Sequence, residues 1–196
     1  MPRKPDYDRE ALIDRARDLF WAQGWAGTSL KDLERVLGLK PGSFYAAFGS
    51  KAALFELALD RYAETGARRL EALVARHGAV GALQRYPGMV IDASSASAKA
   101  CMLAKTVLEL GGGDDPLAAR ANTHLSAMEA LFAEVFRQAQ SAGEISKTYD
   151  AEALARRYQS DLLGLRVSAE RDGVDAGAIA EEIADSLARL AEPRPS

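Results

Sequence analysis

The chain has 196 residues, 48% of them hydrophobic and 27% charged, with a formal net charge of -3 at pH 7. That length holds one moderate domain, or a small one fused to a larger one, with enough apolar residues for a sizeable core. No apolar run is long enough to span a bilayer, no basic-then-apolar leader opens the chain, and a single cysteine excludes an internal disulfide framework and fits a reducing cytoplasm. The charge is unevenly placed: residues 1–51 carry +2 and the remainder -5. That asymmetry is too small to point to nucleic acid by itself.

In chain order, residues 1–5 are short and basic (Arg3, Lys4), either a frayed terminus or an arm reaching phosphates or the minor groove. A first helix is expected over 8–23, with Leu12, Ala16, Leu19 and Phe20 as its stripe and Gly24 as its stop. Trp21 and Trp25 read as core or hinge packing. Ser29 with Asp32 three positions on makes a capping-box-like start, Leu30, Leu33 and Leu37 share one face, and Gly38 is placed for a left-handed stop. A very short helix over 40–48 then sets Phe44 and Phe48 on one side and Ser43, Tyr45 and Ala46 on the other. Two short helices joined by a glycine turn are the arrangement that offers a helix to the DNA major groove.

Ser50 is placed to cap a fourth helix over 51–76, with Leu54, Phe55, Leu59, Tyr62, Leu70 and Leu73 on its face. Gly78 and Gly81 break the chain, and a helix over 80–91 follows, interrupted near Pro87-Gly88. Ser97 is a candidate cap for a helix over 99–110, and Asp115 with Pro116 starts a long helix ending near 142. Helices over 150–171 and 175–191 complete an all-α chain of about nine helices. There is no strand-like alternation and no internal repeat.

Leu33, Gly38, Leu39, Gly42, Ser43, Phe44, Tyr45, Phe48 and Lys51 together resemble the helix-turn-helix of the TetR family of bacterial transcriptional repressors. Glu34, Leu37 and Pro41 depart from the usual pattern. The resemblance implies a helix-turn-helix DNA-binding domain over 1–50 and a helical ligand-sensing and dimerisation domain over 51–196. It implies DNA approach by Ser43 and Tyr45 and phosphate pairing by Lys51. Gly42 lets the backbone come close, and Lys31 and Lys40 are further candidates for phosphate or base contact. Tyr45 has packing as its alternative. With Ala46 and Ala47 so small, reading falls to few side chains, to thymine methyls and to DNA shape.

The same resemblance implies a sensing pocket between the fourth helix and the helices around Cys101 and His124. Its candidates are Phe55, Leu59, Tyr62, Met89, Cys101, Met102, Lys105, His124, Met128 and Phe132, each also a candidate core residue. It implies, too, a four-helix dimer interface from the last two helices, carried by Leu154, Tyr158, Leu162, Leu165, Ile179, Ile183 and Leu187. Gly164 and the alanines at 180, 184 and 188 would allow close approach.

Catalytic signals are poor. His77 and His124 have no metal-ligand spacing around them, and Gly111–Gly113 lacks the Lys-Ser/Thr of a nucleotide loop. No metal and no cofactor are expected. Cys101 reads either as a small buried hydrophobe or as a thiolate favoured by a helix start and by Lys105 one turn on. The segment around it looks like the Gly-Cys-Leu stretch of a TetR subgroup in which some members sense oxidants or electrophiles, with Ala100 in place of the glycine. The expected function is a homodimeric repressor on a palindromic operator, released by a small-molecule inducer that is an electrophile if Cys101 is the sensor and a reversible ligand if Cys101 is core. The alternatives are a DNA-binding regulator controlled by a protein partner, and a small helical enzyme using Cys101. Expected partners are operator DNA, a second copy of the chain and the inducer, with no membrane, in the cytoplasm.

Overall fold

A computed structural model describes residues 8–92, 98–111 and 113–191. Among them are eight α-helices and no strand: α1 (Arg9–Gly27), α2 (Leu30–Leu37), α3 (Pro41–Phe48), α4 (Lys51–Asp92), α5 (Met102–Leu110), α6 (Pro116–Ser141), α7 (Ala151–Ser168) and α8 (Ala176–Ala188). The nine expected segments are present, two of them fused into α4. No described helix is long and apolar enough to cross a membrane.

Local chemistry starts and stops these helices. Asp8, Asp115 and Asp150 each accept from two backbone amides of the first turn, and Asp175 accepts from Ala178. Ser29 and Asp32 form the full capping box, and Gly38 ends α2 in the left-handed conformation (φ 68°, ψ 28°). Ser50 Oγ accepts from the Ala53 amide, as expected of a cap for α4.

Two long helices bend at glycine. In α1 the backbone breaks at Gly24 (φ 77°, ψ 179°), and one more turn follows before the chain leaves at Thr28. In α4 it breaks at Gly78 (φ 72°, ψ 178°), separating a lower arm that begins beside α3 from an upper arm. A side chain rarely adopts this backbone, so both bends need glycine. Pro87, by contrast, does not interrupt its helix. It lacks the N–H that would satisfy the Leu83 carbonyl one turn back, and the Tyr158 hydroxyl from α7 donates to that carbonyl instead, at 2.6 Å.

Two apolar cores fill the molecule. One holds Leu12, Ala16, Phe20, Leu33, Leu37, Phe44 and Phe48 together with Leu54, Phe55 and Leu59 of α4, Met102 and Leu103 of α5, and Leu117 of α6. The other joins the upper arm of α4 to α6, α7 and α8 through Leu83, Tyr86, Phe132, Phe136, Tyr158, Leu162, Leu165, Ile183 and Leu187. The stripe expected to form a dimer therefore largely lies inside the chain's own core. Tyr158, Leu162, Leu165, Ile183 and Leu187 are buried, and Leu154 and Ile179 are partly buried against the same cluster. What remains exposed is the opposite face of α7, with Ala153, Arg157, Ser160, Gly164 and Val167, beside Ala178, Glu182 and Asp185 of α8.

The start of α5 also differs from expectation. It begins at Met102, with Cys101 in the N-cap position and no side-chain cap bond. The expected cap, Ser97, and the basic residues Arg3 and Lys4 lie outside the described residues.

Candidate nucleic-acid interface and regulatory cavity

The helix-turn-helix has a clear inside and outside. Phe44 and Phe48 are buried and anchor α3, while Lys40, Gly42, Ser43 and Ala46 are exposed and Tyr45 is 49% exposed. Lys31 is exposed at the start of α2. No side chain caps α3, whose first turn begins with Pro41. A Cβ at Gly42 would meet nothing within 4 Å, so packing within the chain gives no reason for a glycine there. This surface can accept phosphate at its first turn and present Ser43 and Tyr45 to base edges.

Lys51 is placed differently from the other predicted contacts. Its ammonium donates to the Trp25 carbonyl at 2.6 Å and sits 4.1 Å from the centroid of the Trp25 ring. Partial burial draws its pKa down, against the opposing charge of Glu109. The side chain thus binds α4 to the end of α1.

Trp25 is a junction. Glu109 of α5 accepts from the Trp25 amide at 3.0 Å and the Ala26 amide at 2.6 Å, capping from a distant helix the donors freed by the Gly24 bend. Lys105 of α5 donates to the Trp21 carbonyl at 2.7 Å. Thr28, buried, donates its hydroxyl to the Gly24 carbonyl at 2.7 Å. Sequence reading foresaw neither Glu109 nor Thr28. Glu109 is 84 residues from Trp25, and no periodicity or motif marks that pairing.

A cavity of about 650 Å³ lies between the two cores. Of the ten predicted ligand residues, Tyr62, Cys101, His124, Met128 and Phe132 line it. Phe55, Leu59 and Met102 are buried in the lower core, Met89 packs against the upper core, and Lys105 is engaged with α1. The lining also includes residues that sequence reading did not select, above all Trp21 from α1, Tyr86, Arg69, Gln159 and Arg166.

Aromatic rings wall this space. Trp21 meets Tyr62 edge-on at 5.2 Å, and Tyr86 meets Phe132 edge-on at 5.4 Å. Tyr62 lies beside the Cys101 thiol, and burial pushes its phenol pKa well above the ordinary value. His124 is held by Asp60, Nε2 to Oδ1 at 2.7 Å, so that nitrogen serves the Asp60 cluster rather than Cys101. Asp60 also accepts two bonds from Arg120, at 2.8 and 2.6 Å, tying the lower arm of α4 to α6. Arg120 holds the Asp60 carboxyl below its ordinary range. No group of three or more His, Cys, Asp and Glu among the described residues could hold a metal.

Residues 12–58 match the profile described as bacterial regulatory proteins, tetR family, and residues 66–177 match that of the tetracyclin repressor-like C-terminal domain. Over 171 residues the chain is 30% identical to the HTH-type transcriptional repressor ComR of Escherichia coli (strain K12), covering 85% of this chain and 81% of ComR. It is 29% identical over 180 residues to the HTH-type transcriptional regulator YezE of Bacillus subtilis (strain 168), covering 88% and 93% of the two. Among solved structures, a cysteine mutant of the TetR family regulator CifR, complexed with a 26-base-pair double-strand operator, aligns with a TM-score of 0.79. It is 27% identical, covering 95% of this chain and 98% of CifR.

Proposed function

The chain belongs to the TetR family of bacterial transcriptional regulators, which bind operator DNA and are not enzymes, and from that premise we propose that it is a homodimeric repressor released by a small molecule. The observation that carries the DNA-reading half is the outward face of α3, where Gly42, Ser43 and Tyr45 stand exposed above buried Phe44 and Phe48. Residues 1–50 read the operator, with Lys31 and Lys40 as added contacts, and residues 51–196 sense and dimerise. That CifR, similar over 95% of this chain, is complexed with operator DNA supports operator binding here. A bacterial regulator that acts on operator DNA works in the cytoplasm.

The dimer forms through the exposed face of α7 and α8. Gly164 sits in the middle of α7 with open space around its Cβ position, and glycine there costs helix stability of about 1 kcal/mol relative to alanine. Close approach of a second α7 across a two-fold axis gives that glycine a purpose. Two copies of α3 then meet successive major grooves of a palindromic site.

The inducer sits in the cavity. A cavity of about 650 Å³ walled by aromatic rings favours a small molecule over a protein partner as the controlling signal. Cys101 lines that space beside Tyr62, so an electrophile entering it meets a thiol. Release runs through α5, whose N-cap is Cys101 and whose last turn sets Glu109 on the amides beside the Gly24 bend.

The test combines two measurements on the full chain. Selection from random duplexes should return a pseudo-palindrome with half-sites roughly one helical turn or slightly more apart. Gly164→Arg should give a folded monomer by sedimentation, with operator affinity lost. Only asymmetric sites, or an undisturbed dimer in Gly164→Arg, would reject this assembly.

A further inference from the structure

The charges around the cavity are not all answered. Arg17 is paired with Asp14 at 3.0 Å and Asp18 at 2.8 Å. Glu170, one turn beyond Arg166, accepts from the amides of Lys99 and Ala100. Among the described residues Arg166 itself uses only Nε, donating to the Lys99 carbonyl at 2.9 Å. Its guanidinium carbon lies 5.5 Å from the Trp21 ring and 5.9 Å from the Tyr62 ring. Among the described residues no carboxylate pairs with it. One bond fixes the plane of the guanidinium and leaves its terminal N–H groups for something else.

The surroundings narrow what that is. Arg69 adds a second positive charge to the lining, again with no ion-pair partner among the described residues. The Tyr86 phenol, with its pKa pushed up to about 12 by burial, stays protonated and can donate. The lining sets three arginines, Arg17, Arg69 and Arg166, against two carboxylates, Asp18 and Glu64, so its balance favours an anion over a cation, and a purely apolar guest would strip water from Arg166 without replacing it. A flat anion meets the fork of the guanidinium with two parallel bonds and rests its body against the rings.

Resting on the reading of the cavity as the inducer site, we propose that its ligand is a planar aromatic carboxylate, with the carboxylate on Arg166 and the ring among Trp21, Tyr62, Tyr86 and Phe132. This placement also gives the ligand a route to the DNA end. Arg166 holds Lys99, two residues before Cys101 and the start of α5, so an anion that draws the guanidinium inward loosens the segment leading into that helix.

The experiment uses the full-length protein and three acids of rising size, benzoate, cinnamate and naphthoate, each beside its neutral amide. Binding is followed by tryptophan fluorescence and calorimetry. At least one acid should bind one per chain and about tenfold more tightly than its amide, as a charge-assisted pair implies. Arg166→Gln should erase that preference, Arg166→Lys should restore part of it, and Arg69→Gln should leave it in place. Thermal melts of the variants show whether each is folded, and the lysine variant keeps the test meaningful if glutamine weakens the bond to Lys99. Equal binding of every acid and its amide, or a preference that survives Arg166→Gln, overturns the carboxylate assignment while leaving the cavity as a ligand site. If none of the six compounds binds, the carboxylate assignment falls as well. In that case, operator release by an uncharged electrophile decides separately whether the cavity is the inducer site.

Discussion

Gly24 and Gly78 share almost the same backbone, φ 77° against 72° and ψ 179° against 178°, and each bends a long helix. Their surroundings differ. A Cβ at Gly78 would meet nothing within 4 Å, whereas one at Gly24 would lie 2.9 Å from a Glu109 carboxylate oxygen. The Gly78 bend is a local matter between two arms of one helix. The Gly24 bend is held in trans, its freed amides capped by α5 and its Trp25 carbonyl taken by Lys51 of α4. One backbone device therefore serves two ends: shape alone at Gly78, and at Gly24 a joint between the cavity wall and the DNA-reading helices.

The most direct way to break this comparison is to put alanine at both bends. Gly78→Ala should cost about 1–2 kcal/mol, the strain of a side chain at positive φ. Gly24→Ala should cost about 2–4 kcal/mol, because the same strain is joined by displacement of Glu109 from two amides. Urea unfolding measures both, and equal losses would mean that Glu109 is incidental.

Glu109→Ala should cost about 1–2 kcal/mol, as removal of a helix cap does. Combined with Gly24→Ala, its effect should be less than additive, since the first change has already dislodged the carboxylate. Additive losses would separate the bend from α5. Acid should act on the other attachment of the lower arm, the Asp60–Arg120–His124 cluster. The folded Asp60 pKa lies below its ordinary 3.8, so the cluster's contribution is complete above that pH and is lost as pH falls through the folded value. Asp60→Asn should lower stability at neutral pH by about 1 kcal/mol and flatten the acid limb of the unfolding curve. A wild-type and variant difference that stays constant down to pH ~2 would place the cluster outside the balance.

Lys51→Met should give the smallest change in DNA chemistry. Its ammonium is bound to Trp25, so operator affinity should fall without altering the salt dependence. A slope lower by about one unit would return Lys51 to the phosphate backbone.

The DNA-reading end was legible in the sequence because its determinants are close together. Ser29 and Asp32 are three residues apart, Gly38 follows Leu37, and Phe44 and Phe48 sit one turn apart, so spacing alone sorted the inside of α3 from its outside. The cavity was half legible. Phe55 and Leu59 have the same helical spacing as Tyr62, and nothing local says that the first two close the lower core while the third faces the space. Trp21 and Arg166 come from α1 and α7, brought together by packing that no window of sequence contains. The stripe on α7 and α8 was correctly seen as apolar but assigned to the wrong neighbour, because a helix that closes its own core and one that meets a second subunit carry the same pattern.

Trp21 is both a wall of the cavity and a member of the lower core that seats the helix-turn-helix. That double membership bears on how such regulators diversify. A head grafted at residue 50 from a relative would carry its own α1 residue into this cavity and would leave Leu54, Phe55, Leu59, Met102 and Leu103 against unfamiliar side chains. Exchange of operator preference between relatives is therefore easiest by point changes on the exposed face of α3. Recombination of whole modules would have to move residues 98–110 along with the head.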